Sequence, residues 1–128
     1  MKKIIFFYLL SYFLCFIVSC TKEGTGGKAT IKGSVKHHDM PIPGAAVYIK
    51  YNATELPGTN VTYYDDHVIC DASANFQIVD LKKGDYYLFA VGFDSTWAGN
   101  GATVSGGVGV KIKKKTETVE TLVAVNEQ

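Results

Sequence analysis

Tyr86-Tyr87-Leu88-Phe89-Ala90-Val91-Gly92-Phe93 is the most strongly β-prone stretch of the chain. Eight residues of aromatic, branched or small side chains, apolar at both alternating phases, suit a strand covered on both sides, so this one is expected at the centre of its sheet. Leu81-Lys82-Lys83-Gly84 ahead of it and Asp94 to Gly101 behind it read as a turn and a loop.

The same period-two alternation extends outward in both directions. On the amino-terminal side, Phe76-Gln77-Ile78-Val79 is a strand, Asp71-Ala72-Ser73-Ala74-Asn75 its turn, and His67 to Asp71 a short partner. Ala45, Val47, Ile49 and Tyr51 share one face of an earlier strand. Ile31, Gly33 and Val35 share one face of the first, from Thr30 to Lys36. Pro41-Ile42-Pro43-Gly44 must turn between those two, and Asn52 to Asp66, with Pro57-Gly58, is a long loop. On the carboxy-terminal side, Val108, Val110 and Ile112 alternate, Lys113-Lys114-Lys115 makes a charged turn, and Thr116 to Val125 is a last strand. No segment after residue 28 has a sustained helical period. Seven short strands on roughly 100 residues predict an all-β, seven-stranded antiparallel Greek-key sandwich, with a small closed barrel as the alternative.

The beginning of the chain follows different rules. Met1-Lys2-Lys3, an apolar run from Ile4 to Val18 and then small Ser19 have the layout of a secretory signal peptide. Ile17-Val18-Ser19-Cys20 resembles the bacterial lipobox, which implies cleavage before Cys20 and lipid on that residue. The expected organisation is a signal peptide over 1–19, a flexible glycine-rich tether over 20–27 and a β-sandwich domain over 28–128. Cys20 is the lipidation site, and the membrane is a partner through its lipid.

Composition narrows the function. Loss of Lys2 and Lys3 leaves 11 basic against 12 acidic residues, a net charge of −1 that favours neither nucleic acid nor a strongly anionic surface. Every basic residue is lysine, so no bidentate guanidinium clamp for phosphate or carboxylate can be built. With Cys15 removed and Cys20 lipidated, Cys70 has no disulfide partner and is expected as a buried small hydrophobe.

Ile31-x-Gly33-x-Val35, Pro41-x-Pro43-Gly44-Ala45-x-Val47, Asp71-x-x-Ala74-x-Phe76 and Leu81-x-x-Gly84-x-Tyr86-x-Leu88 together resemble the carboxypeptidase regulatory-like domain. The resemblance covers Ala29 to Phe93 and implies a prealbumin-like (transthyretin-like) sandwich. Tyr86 would bury its ring and send its hydroxyl to a backbone partner. Ala74 replaces the usual glycine, which implies a looser or different turn there. Domains of this kind are accessory, and small lipid-anchored versions are characteristic of the Bacteroidetes. The hydrolase built on this fold needs an arginine and a Tyr-Arg-Gly-Ser tail, both missing from the sequence.

No nucleophile elbow is present, so no catalytic residue and no enzyme activity is assigned. His37-His38-Asp39 and Asp65-Asp66-His67 carry metal-type side chains in no recognised spacing. Neighbouring strand residues point to opposite faces, so both clusters read as solvated loop edges and neither a metal nor a cofactor is assigned. Calcium would suit the Asp65-Asp66 region better than zinc. Resemblance to the related isopeptide-bonded adhesin domains would imply a bond between Lys32 or Lys36 and Asn126, but no central-strand glutamate is available to assist.

Trp97, Tyr63 and Tyr64, in the two loops, are the ligand-binding candidates, able to stack on sugar rings or a protein. For Trp97 the simpler expectation is a ring folded back to plug one end of the sandwich. Tyr87, Phe89, Val91 and Phe93 form a row that is either covered by a loop or exposed. Asp94-Ser95-Thr96 resembles a Bacteroidetes O-glycosylation motif, which makes Ser95 a candidate attachment point. The expected function is a lipid-anchored outer-membrane lipoprotein, on the cell-surface or periplasmic face, acting as a non-catalytic binding or accessory module. Its partner would be a glycan or an envelope protein. The alternative is a structural component of cell-envelope or pilus assembly.

Overall fold

The computed structural model describes residues 22–128, so the signal peptide and Cys20 lie outside the described residues. The chain runs β1 (Thr25–His37), β2 (Met40–Pro41), β3 (Ala46–Tyr51), β4 (Asp66–Ile69), β5 (Asn75–Leu81), β6 (Gly84–Asp94), β7 (Ala102–Ile112), β8 (Thr118–Ala124) and β9 (Asn126–Glu127). Seven of these have four or more residues and coincide with the seven expected strands. The other two are two-residue pairings at strand ends.

They form a two-sheet β-sandwich with Greek-key connections. One sheet has β1 between β5 and β8, with β2 pairing the end of β1; the other has the order β4-β3-β6-β7-β9. The stretch from Tyr86 to Phe93 is central, as expected: β6 is paired along its length with β7 and across six positions with β3. Inward-facing Ile31, Val35, Ile78 and Val123 of the first sheet meet Val47, Ile49, Leu88, Val104 and Ile112 of the second in one core. Burial of these side chains is the main stabilising term, each contributing about 1.5–3 kcal/mol relative to exposure. Cys70 belongs to the core as a free thiol.

Two expectations are corrected. The sandwich is not wholly antiparallel, because β8 runs parallel to β1 from Thr30↔Thr118 to Lys36↔Ala124. A hairpin must return antiparallel, but β8 arrives from β7 in the opposite sheet, and that crossing leaves its direction free. Gly33 makes the pairing possible, since a Cβ there would lie 1.9 Å from the Thr121 carbonyl oxygen.

The second correction concerns the tether, which is built into the fold from Gly24 onward. Gly24 N–H donates to Tyr86 Oη at 2.9 Å, Lys82 N–H donates to the Gly24 carbonyl at 2.9 Å, and Thr25 pairs with Leu81. Its glycines permit close approach rather than flexibility, because a Cβ on Gly27 would lie 2.1 Å from the Leu81 carbonyl oxygen.

The motif Leu81-x-x-Gly84-x-Tyr86 behaves as read. The Tyr86 ring is fully buried and its hydroxyl donates to the Lys82 carbonyl at 2.6 Å. The turn at Ala74 is not loosened by the missing glycine. Ala74 takes φ 63°, the left-handed conformation glycine would adopt, and Asp71 Oδ1 accepts from the N–H of Ser73 and of Asn75, each at 2.9 Å.

Candidate functional site

Two places on the sandwich carry chemistry. The first is at one end, where three strands finish. His37 closes β1, Asp94 closes β6 and Glu127 closes β9. His37 follows Ile31, Gly33 and Val35 in the inward phase, and Asp94 follows Leu88, Ala90 and Gly92, so both polar side chains point into the sandwich. Both are buried. His37 Nδ1 lies 2.7 Å from Asp94 Oδ2, while Asp94 Oδ1 accepts from the N–H and hydroxyl of Thr96 at 2.9 and 2.7 Å.

These contacts set the charges. The Thr96 hydroxyl first, and His37 next, hold the Asp94 carboxyl down to about 2. The hydrogen bond to Asp94 raises the His37 pKa despite the opposing effect of burial, and Glu127 adds to the rise. Glu127 is itself held below the usual carboxylate range, by its own backbone N–H and then by His37.

His38 joins this end because β1 and β2 are linked by a two-residue turn. His38 and Asp39 have φ 47° and 66°, between the paired residues His37 and Met40, as in a type I′ hairpin. The turn brings the His38 ring to 4.4 Å from that of His37 rather than to the opposite face. Trp97 stacks on His38 at 4.9 Å, with 14° between planes, and meets His37 edge-on at 4.8 Å. Trp97 therefore plugs one end of the sandwich. The expectation of solvated loop edges is wrong for His37, whose side chain has no exposed surface.

The second place is the outer face of the five-stranded sheet. Here the cross-strand rows His67–Tyr48–Phe89–Gly107 and Ile69–Ala46–Val91–Ser105 lie side by side. The loop from Asn52 to Asp65 folds over the first row: Tyr64 stacks on Phe89 at 5.7 Å, leans on Tyr48 at 6.0 Å and donates its hydroxyl to the Gly58 carbonyl at 2.8 Å. Burial pushes the Tyr64 hydroxyl up to about 12. The second row stays open. Ile69 is 60% exposed, Phe93 at the end of β6 is 56% exposed, and Tyr63 in the loop is 55% exposed.

The three aromatic candidates are not one site. Trp97 packs on the histidines, Tyr64 packs on Phe89, and of the three only Tyr63 is largely exposed. Ser95 is exposed in the turn after β6. Asp65 spends its carboxylate on the Tyr51 N–H at 2.7 Å and on Lys50, while Asp66 accepts from the His67 N–H at 2.8 Å and His67 stacks on Tyr48. Lys32 pairs with Glu120 at 3.5 Å, and Asn126 lies in the other sheet. Sequence reasoning missed Asp94 and Glu127 as site residues and the meeting of His37 with Trp97, while Phe93 was in the expected outer row, whose Phe89 is covered by the loop and whose Phe93 is exposed. The inward phase of His37 and Asp94 was the available signal.

The fold is similar to that of a candidate carbohydrate-binding protein of Pseudomonas aeruginosa, with a TM-score of 0.58 and 12% identity over 79% of this chain and 90% of that one. At that identity the likeness concerns the fold. No family model matches the chain, and no curated protein matches it in sequence.

Proposed function

We propose that the chain is a lipid-anchored, non-catalytic binding module of the outer membrane that takes a carbohydrate on the outer face of its five-stranded sheet. The observation that carries this reading is the open shelf of Ile69, Ala46, Val91 and Phe93, floored by short residues and flanked by Ser105, Asn126 and Gln128. An exposed aromatic ring stacks on the C–H face of a sugar, and neighbouring hydroxyl and amide groups bond its hydroxyls. Gln128 already donates to Ser105 Oγ at 2.8 Å, which places one such amide at the shelf's edge.

Support also comes from the fold shared with the candidate carbohydrate-binding protein. The anchor rests on Cys20 in its lipobox-like setting, with the domain then beginning four residues later at Gly24. The proposed membership of the carboxypeptidase regulatory-like domains draws on the Tyr86 and Asp71 motifs and their geometry.

Affinity electrophoresis through gels containing single polysaccharides tests the ligand class. The protein is expected to be retarded by at least one of them and Phe93→Ala to run freely. Cys20→Ser is expected to move the protein from the membrane to the soluble fraction. A structural role in envelope or pilus assembly is the second reading, favoured by the outer edge of β5, which pairs with no strand among the described residues and could accept one from another protein.

A further inference from the structure

We propose that His37, His38 and Glu127 form a binding site for a divalent transition-metal ion, with Zn²⁺ the best fit, and that Asp94 positions His37 from behind. The site is at the strand ends and goes beyond the carbohydrate reading, which uses the sheet face.

Among the described residues these three offer ligand atoms that all lie within 4.8 Å of one another. His37 Nε2 is 3.2 Å from Glu127 Oε2, and His38 Nε2 is 3.7 Å from Glu127 Oε1. A tetrahedral ion with bonds of about 2.0–2.1 Å sets its ligand atoms roughly 3.3 Å apart, so the two spacings to Glu127 are close to what it needs, and the two imidazole nitrogens, within 4.8 Å of each other, close on the ion by a turn of the exposed His38 ring.

His37 Nε2 supplies an independent observation. It is fully buried and has no hydrogen-bond partner among the described residues, although Glu127 Oε2 is within reach. The contact is off line for a hydrogen bond. An off-line approach is what an ion between the two atoms requires, because each ligand points at the metal and not at the other ligand. A buried polar atom left unpaired is otherwise costly.

The other ring nitrogen completes the arrangement. With Nδ1–H donating to Asp94, the neutral ring presents its Nε2 lone pair, and carboxylate–histidine–metal chains of this kind fix both tautomer and ring orientation. Trp97 stacked on His38 restricts the second ligand. His38 and Glu127 are partly exposed, at 55% and 37% for their side chains, so an ion can enter and keep water in a remaining position. Two imidazoles and one carboxylate suit Zn²⁺, Cu²⁺ or Ni²⁺ better than Ca²⁺ or Mg²⁺.

Calorimetric titration of the full chain, purified in detergent without a histidine tag, tests the site with ZnCl₂ as the probe. Trp97 is the single tryptophan, so its emission reports from the site in the same sample. The expected result is one Zn²⁺ per chain with a change in Trp97 emission. His38→Ala and Glu127→Gln are each expected to weaken binding at least tenfold, Asp94→Asn about 10–100-fold, and His67→Ala not at all. The first two positions are exposed, and unchanged circular dichroism will show that those variants fold. Absence of saturable binding, or binding undiminished in folded His38→Ala and Glu127→Gln, would overturn the assignment.

Discussion

His37 Nδ1 lies 2.7 Å from Asp94 Oδ2, in a pair drawn from the last residues of two strands in opposite sheets. The pair ties the sheets together where the apolar core ends, and each partner perturbs the other's titration. Folding raises the His37 pKa above its ordinary 6.5, so the stability this group adds is complete below that pH and is lost as pH rises through the raised value. Folding lowers Asp94 from 3.8 to about 2, so its contribution is complete above 3.8 and is lost as pH falls towards 2. Glu127, also lowered, acts in the same sense as Asp94 on the acid side. With a chelator present, the thermal midpoint is expected to be highest between about pH 4 and 6.5 and to fall on both sides. Asp94→Asn should lower that maximum and flatten the alkaline limb; an alkaline limb equal to that of the unaltered protein would contradict the pairing.

The amino-terminal segment is a structural part of the sandwich. Tyr86→Phe removes the acceptor of the Gly24 N–H and the donor to the Lys82 carbonyl, and is expected to cost about 1–3 kcal/mol. Gly27→Ala forces a methyl group onto the Leu81 carbonyl and is expected to cost about 1–3 kcal/mol, or more if β1 separates from β5. Urea midpoints measure both. A flexible tether would leave the midpoint of Gly27→Ala unchanged.

Cys70 packs in the core, where burial pushes its thiol up to about 11. With Cys15 and Cys20 replaced by serine, a disulfide reagent at pH 8 is expected to leave Cys70 unmodified in the native protein and to react fully in denaturant. Rapid reaction without denaturant would place the thiol outside the core.

The strands were legible because their inward residues are plain apolar alternations: Ile31-x-Gly33-x-Val35 and Tyr86-x-Leu88-x-Ala90 mark the buried faces of β1 and β6 directly. Partners were less so. Thr118 to Ala124 reads as a strand whichever way it runs, and only the crossing between sheets makes its pairing with β1 parallel. The end site was the least legible. Its side chains lie up to 90 positions apart, from His37 to Glu127, and His38 reaches it only through a turn with positive φ at a non-glycine residue. Histidine and aspartate at inward phases of two strands was a local clue. Their meeting depends on sheet order, which alternation does not encode. Tyr64 and Trp97 looked alike in the sequence as loop aromatics, and it is packing against Phe89 and His38 that makes both of them structural.

Nuclear magnetic resonance mapping of backbone amides during addition of an oligosaccharide taken from the retarding polysaccharide is the most direct test of the carbohydrate reading. The shelf assignment predicts that shifted amides cluster on Ala46, Ile69, Val91, Phe93, Ser105 and Asn126. No saturable shifts, or a cluster on the outer face of the β5-β1-β8 sheet instead, would contradict it.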